Sequence, residues 1–149
     1  MWGKDKAIPK PSEKQLMVVI VDDQRLVVNA LERVLKVAGY AVEGFTNPEN
    51  ALNFIQEETD IFALITDYRM PGMMGDKFLQ LVQEKHPDLP CIVVTGVATK
   101  EIIWKLSEKA KIARILAKPW NTNVLLDVLE QLKESATPAP GKTKASNDR

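Results

Sequence analysis

Three aspartates in this 149-residue chain stand directly after short apolar runs. Asp22 and Asp23 follow Leu16-Met17-Val18-Val19-Ile20-Val21, and Asp67 follows Ile61-Phe62-Ala63-Leu64-Ile65-Thr66. Both runs are short, rich in β-branched residues and do not alternate with polar positions. That is the pattern of parallel strands buried on both faces of a sheet. Open α/β sheets bind their ligands at the carboxyl ends of the strands, so the three carboxylates gather at one end. Like charges held there repel one another unless a cation lies among them. A hard divalent cation with oxygen ligands, Mg²⁺ above all, meets that need.

Two further run-ends widen the chemistry. Cys91-Ile92-Val93-Val94 ends in Thr95, and Ala113-Arg114-Ile115-Leu116-Ala117 ends in Lys118-Pro119. A carboxylate can attack phosphorus and form an acyl phosphate. Mg²⁺ and an ammonium would offset charge on the transferring oxygens, and a Thr hydroxyl would donate a hydrogen bond to one of them. Together these residues describe a phosphoryl site. Each also has a plainer reading. Asp67 can be a turn residue ahead of Pro71-Gly72, one of the Asp22-Asp23 pair can cap a helix, Thr95 can be an ordinary strand end, and Lys118 a solvated loop lysine.

The elements that position these residues alternate strand and helix. Residues 25–38 place Val28, Leu31, Val34, Leu35 and Ala38 on one helical face, with Gly39 as a C-terminal cap. A short strand covers 40–45, and Asn47-Pro48-Glu49 opens the next helix with Asn as N-cap and Pro at the first helical position. Helices follow the third and fourth strands over 75–85 and 99–110, and a last helix over 121–133 buries Leu125, Val128, Leu129 and Leu132. Five βα units predict an α/β fold, a doubly wound parallel sheet covered on both faces.

The motifs Val21-Asp22-Asp23, Thr66-Asp67-Tyr68-Arg69-Met70-Pro71-Gly72, Val94-Thr95-Gly96 and Ala117-Lys118-Pro119 resemble those of the receiver domain of two-component response regulators. The resemblance covers roughly 15–132, with each motif after a predicted strand. It implies a flavodoxin-like sheet of five strands in the order 2-1-3-4-5. It also implies that Asp67 is the phosphoacceptor, Thr95 the switch hydroxyl and Lys118 the phosphate partner. Mg²⁺ would be held by Asp23 and Asp67 directly, by the backbone carbonyl of Arg69, and by Asp22 through water, unless Asp22 instead pairs with Lys118. The Lys118-Pro119 peptide is expected to be cis. The phosphoryl donor would be a sensor histidine kinase or a histidine phosphotransfer protein. The protein would catalyse its own phosphorylation and slow dephosphorylation without being a turnover enzyme.

One position departs from the family pattern. Receivers usually carry Tyr or Phe three residues before the Lys, where this chain has Ile115. Coupling must then run through Thr95, the loop Gly96-Val97-Ala98 and the helix after it. In that helix Ile102, Ile103, Leu106 and Ala110 form the apolar arc, and Trp104 falls outside it and should be exposed. Trp120, also read as exposed, and Leu126 lie nearby in the fold. The helix 4, strand 5, helix 5 face (Trp104, Ile115, Leu126) is therefore a candidate surface for a homodimer or partner. His86, beside Pro87 at the expected exposed end of the third helix, has no ligand partner close in sequence and is read as neither metal ligand nor phosphohistidine.

Composition bounds the rest. Twenty acidic and twenty basic residues cancel, so bulk charge favours neither nucleic acid nor an anionic membrane. No apolar run has the length of a membrane span and no signal-peptide core stands at the N-terminus. Cys91 is the one cysteine, so no intramolecular disulfide can form. These features lead to the expectation of a cytoplasmic receiver domain over 15–134, with a flexible arm over 1–14 and a Pro-containing tail or linker over 135–149. The tail fits a free-standing receiver or part of a longer regulator. The residues offer no DNA-reading helix-turn-helix. Of the rival readings, a haloacid-dehalogenase-like phosphatase needs an Asp-x-Asp pattern after its first strand, which Asp22-Asp23-Gln24 lacks. A phosphorylation-independent module would not need the full acidic, Thr and Lys set.

Overall fold

The computed structural model describes residues 15–58 and 60–136, and the expected arm and most of the expected tail lie outside them. Ten elements alternate: β1 (Met17–Val21), α1 (Arg25–Val37), β2 (Ala41–Phe45), α2 (Pro48–Glu57), β3 (Ala63–Thr66), α3 (Gly75–Lys85), β4 (Cys91–Thr95), α4 (Lys100–Lys109), β5 (Arg114–Ala117) and α5 (Thr122–Ala136). The strands form one parallel sheet in the order β2-β1-β3-β4-β5, as the resemblance implied. Among the described residues no helix is long and apolar enough to cross a membrane.

The unbroken apolar runs are explained by two cores, one on each face of the sheet. Val19, Val21, Leu64 and Val93 face α2, α3 and α4, packing with Ala51, Ile55, Phe78, Leu79, Val82 and Leu106. Val18, Ile20, Ile65, Ile92 and Val94 face α1 and α5, packing with Val28, Leu31, Leu35, Leu125 and Leu129. Each large side chain so buried stabilises the fold by about 1.5–3 kcal/mol over leaving it in water.

The helix ends follow the local chemistry. Asn47 Oδ1 accepts from the amides of Glu49 and Asn50 at 2.8 and 3.0 Å, with Pro48 opening α2. Gly39, at φ +101°, closes α1. The Tyr40 amide reaches back to the Leu35 carbonyl and the Gly39 amide to that of Lys36, the paired bonds of a Schellman turn. Helix α5 continues to Ala136, past the expected end at Lys133. The first residue in the sequence that opposes helix there is Pro138.

Four surface expectations need correction. Ile103, placed on the apolar arc of α4, is 40% exposed, and only Leu106 of that helix is fully buried. Periodicity identifies the arc, but α4 leans on α3 at the thin edge of the sheet and sinks only one side chain. Trp120 is half-buried on the α1–α5 core rather than exposed. Leu126 packs on that same core while Ile115 packs on the opposite one, so of the three residues assigned to the helix 4–strand 5–helix 5 face, Trp104 alone is strongly exposed, at 66%. His86 is half-buried, and its Nε2–H donates to the Ile55 carbonyl at 2.7 Å, tying the end of α3 to α2.

Candidate functional site

Register brings the acidic residues together. Val21 and Thr66 are partners across β1 and β3, and the Asp67 amide donates to the Val21 carbonyl at 3.0 Å. Asp22 and Asp67, the next residue on each strand, therefore leave the sheet side by side. The Asp22 amide is held by the Phe45 carbonyl at the end of β2. On the other side Thr95 pairs with Ala117, and the Lys118 amide donates to the Thr95 carbonyl at 2.9 Å. Lys118 thus emerges one position beyond β5, and its peptide with Pro119 is cis.

The Lys118 ammonium bridges the strand ends. Its Nζ lies 2.7 Å from Asp22 Oδ2 and 3.0 Å from Asp67 Oδ2. The other oxygens are held by backbone: Asp22 Oδ1 accepts from the Gln24 amide at 2.9 Å, and Asp67 Oδ1 from the Tyr68 amide at 2.6 Å. Asp23 is exposed, and carboxylate oxygens of Asp22, Asp23 and Asp67 all lie within 4.8 Å of one another. Three carboxylates facing one ammonium leave an excess of negative charge in a partly buried place. Burial pushes the Asp22 carboxyl above its ordinary value, against the opposing pull of Lys118 and the Gln24 amide. Burial would lower Lys118, but its hydrogen bonds to Asp22 and Asp67 and their charge outweigh this and hold the ammonium above its ordinary value. An all-oxygen donor set with surplus charge, open to solvent at Asp23, is one that could hold a hard divalent cation such as Mg²⁺.

Thr95 and Arg69 stand apart from this cluster. Thr95 is fully buried, and its Oγ1 accepts a hydrogen bond from the Val97 amide at 3.3 Å. Among the described residues no hydrogen bond joins it to the carboxylates. Arg69 lies two residues past Asp67 with its side chain exposed. It belongs to a loop shaped by Pro71 and Gly72, the latter at φ +88°, the value of a type II turn. Sequence reasoning missed what holds that loop against the site. The Gly75 amide donates to the Tyr68 carbonyl at 2.6 Å, and a Cβ at Gly75 would fall 2.8 Å from Tyr68 Cα. Only glycine lets α3 begin so close to the Asp67 loop. The one available signal was a glycine at a predicted helix start.

Known proteins resemble this chain in sequence and fold. The family model of the response regulator receiver domain matches residues 18–130. The response regulator receiver protein CpdR of Brucella abortus is 33% identical over 111 residues, 74% of this chain and 88% of that protein. The hydrogenase transcriptional regulatory protein HoxA of Cupriavidus necator is 31% identical over 124 residues, 83% of this chain. The chain spans only 25% of HoxA and 63% of the transcriptional regulatory protein FixJ of Rhizobium meliloti. The chemotaxis protein CheY4 of Vibrio cholerae superposes with a TM-score of 0.74 at 26% identity, over 80% of this chain and 99% of that one. Sequence match, sheet order and fold agree: the chain belongs to the response regulator receiver domains.

Proposed function

We propose that this chain is a phosphorylation switch in which Asp67 accepts a phosphoryl group from a phosphohistidine of a sensor kinase or phosphotransfer protein. The observation that carries this reading is the buried Asp67 carboxylate, held by Lys118 and the Tyr68 amide beside Asp22 and Asp23. One carboxylate oxygen of Asp67 attacks phosphorus, an O–P bond forms, and the P–N bond of the donor breaks. The imidazole leaves with the electron pair and takes up a proton. Asp23, Asp67, the Arg69 carbonyl and Asp22 would hold Mg²⁺, which when bound supplies positive charge beside the transferring oxygens. Lys118, already at hydrogen-bond distance from Asp67, exchanges a carboxylate oxygen for a phosphoryl oxygen. Water later attacks the phosphorus and returns the free carboxylate with release of phosphate.

The Thr95 hydroxyl turns from the Val97 amide and donates to a phosphoryl oxygen. Because Ile115 replaces the family's aromatic residue, that movement is passed on through the loop 96–98 to α4. Contacts made only in the phosphorylated state supply the differential interaction that a switch requires. In this reading residues 15–134 act as a cytoplasmic receiver, 1–14 and 135–149 flank it, and output goes through a partner or effector rather than through nucleic acid. Acetyl phosphate or phosphoramidate with Mg²⁺ should raise the intact mass by one phosphoryl group, and Asp67→Asn should abolish the gain. An unchanged rate in Asp67→Asn would overturn the assignment.

A further inference from the structure

The two ends of α4 are held very differently. At its start, the Thr99 side chain accepts from the Ile102 amide at 3.2 Å and the preceding loop is tied by the 3.3 Å bond from Val97 to Thr95. Both bonds are long. At its end, the side-chain amide of Gln83 grips the backbone of Lys111 from both sides. Gln83 Nε2 donates to the Lys111 carbonyl at 2.8 Å, and the Lys111 amide donates to Gln83 Oε1 at 2.9 Å. Gln83 sits on α3, whose Phe78, Leu79 and Val82 are fully buried or nearly so. Two residues further on, the Ala113 amide joins the Cys91 carbonyl at 2.8 Å and β5 begins.

We infer that the Gln83 clamp on Lys111 is a fixed pivot for α4, so that movement begun at Thr95 swings the start of the helix while its end and β5 stay in place. The inference rests on the proposed function for the movement itself, while the clamp stands on geometry alone. A pivot at Lys111 turns α4 into a lever. At about 1.5 Å per residue, Trp104 lies roughly 7 Å and Lys100 roughly 13 Å from the last helical residue, Lys109, which the extended Ala110 joins to Lys111. Displacement therefore grows toward the Thr95 loop and includes the exposed Trp104. Holding β5 still also keeps Lys118, at its far end, within reach of Asp22 and Asp67 while α4 moves. Gln83 is thereby a positioning residue that separates the surface that changes from the strand that carries the ammonium.

Residue-resolved amide hydrogen exchange on the full chain, with Mg²⁺ and with or without beryllofluoride, tests this. In the wild type, beryllofluoride should alter exchange over 96–104 and leave Lys111 and Ala113 unchanged. Gln83→Leu keeps the side-chain volume and removes both bonds to Lys111, along with the long 3.6 Å bond from Gln83 Nε2 to Cys91 Sγ. Lys111 is exposed, so water can take its freed groups and the fold should survive. In that variant the Lys111 amide should exchange about tenfold faster at rest, and the response to beryllofluoride should spread into 105–113. Gln83→Glu retains an acceptor but loses the donor, and its Lys111 exchange should fall between the two. Wild-type loss of protection at Lys111 on activation, or Gln83→Leu indistinguishable from wild type, would overturn the pivot. Mass measurement after acetyl phosphate on the same samples separates the two claims. Absence of phosphorylation overturns the proposed function and the lever with it, whereas normal phosphorylation with a mobile Lys111 overturns the pivot alone.

Discussion

The centre of the sheet and its α4–β5 edge are built to different standards. β3 and β4 are buried at every residue, and β1 at all but its first. Asp22, Asp67 and Thr95 stand at or just beyond their ends. At the edge, no residue of β5 is fully buried and α4 sinks only Leu106. Groups that must meet within a few tenths of an ångström are mounted on elements packed from both sides. The surface that the proposed switch would change is carried by an element with few buried contacts, the kind that opens or shifts at low free-energy cost. Lys118 belongs to both regions: it leaves the weak edge strand yet is anchored in the centre by Asp22 and Asp67.

The largest consequence concerns stability. Phe78→Ala removes a fully buried ring from the centre and should cost about 3–5 kcal/mol. Trp104→Ala removes a larger but mostly exposed side chain at the edge and should stay within about 0.5 kcal/mol. Urea unfolding of both variants would break the comparison if their costs were similar.

Next in size is the response to metal. If the carboxylates hold Mg²⁺, the ion at a hundred times its dissociation constant should stabilise the native state by about 2.7 kcal/mol. Asp23→Ala should leave the fold intact, since Asp23 is exposed, and remove most of that gain. Thermal unfolding across a Mg²⁺ titration reads this directly. A wild-type response in Asp23→Ala would remove Asp23 from the ligand set.

The smallest expected effect is an absence of reaction at the centre. Cys91 is fully buried and burial pushes its thiol up to about 11. A thiol reagent at pH 8 should leave the native protein unlabelled over the time that labels the urea-unfolded chain completely. Rapid native labelling would mean that β4 opens as readily as the edge.

These contrasts mark where the sequence was legible. Asp22 and Asp67 could be placed together because each follows an unbroken apolar run of the kind a buried parallel strand shows. Lys118 joins them because it follows the last strand of the same parallel sheet, whose strands all end on one side. Gly39 and Asn47-Pro48 were readable because helix caps are local. The misreadings concern depth and long-range partners. Helical spacing put Ile103 on the apolar arc of α4, yet nothing in it says how far the helix sinks, and Ile103 is left 40% exposed. Trp120 follows a polar turn, and its packing on α1 and α5 depends on where the chain heads next. The bonds of His86 to Ile55 and of Gln83 to Lys111 span 31 and 28 residues, beyond any local pattern. Gly75 was seen as a helix start, but its need for close approach to Tyr68 exists only once the Asp67 loop is folded.

The central claim is that Asp67 is the residue that carries the phosphoryl group, and trapping its position tests this most directly. Borohydride reduces an acyl phosphate of aspartate to homoserine, so protein treated with acetyl phosphate and Mg²⁺, then with borohydride, records the site in its sequence. Tandem mass spectrometry should find homoserine at position 67 and aspartate retained at 22 and 23. Homoserine at position 22 or 23, or a stable phosphoryl group elsewhere with Asp67 unreduced, would contradict the account.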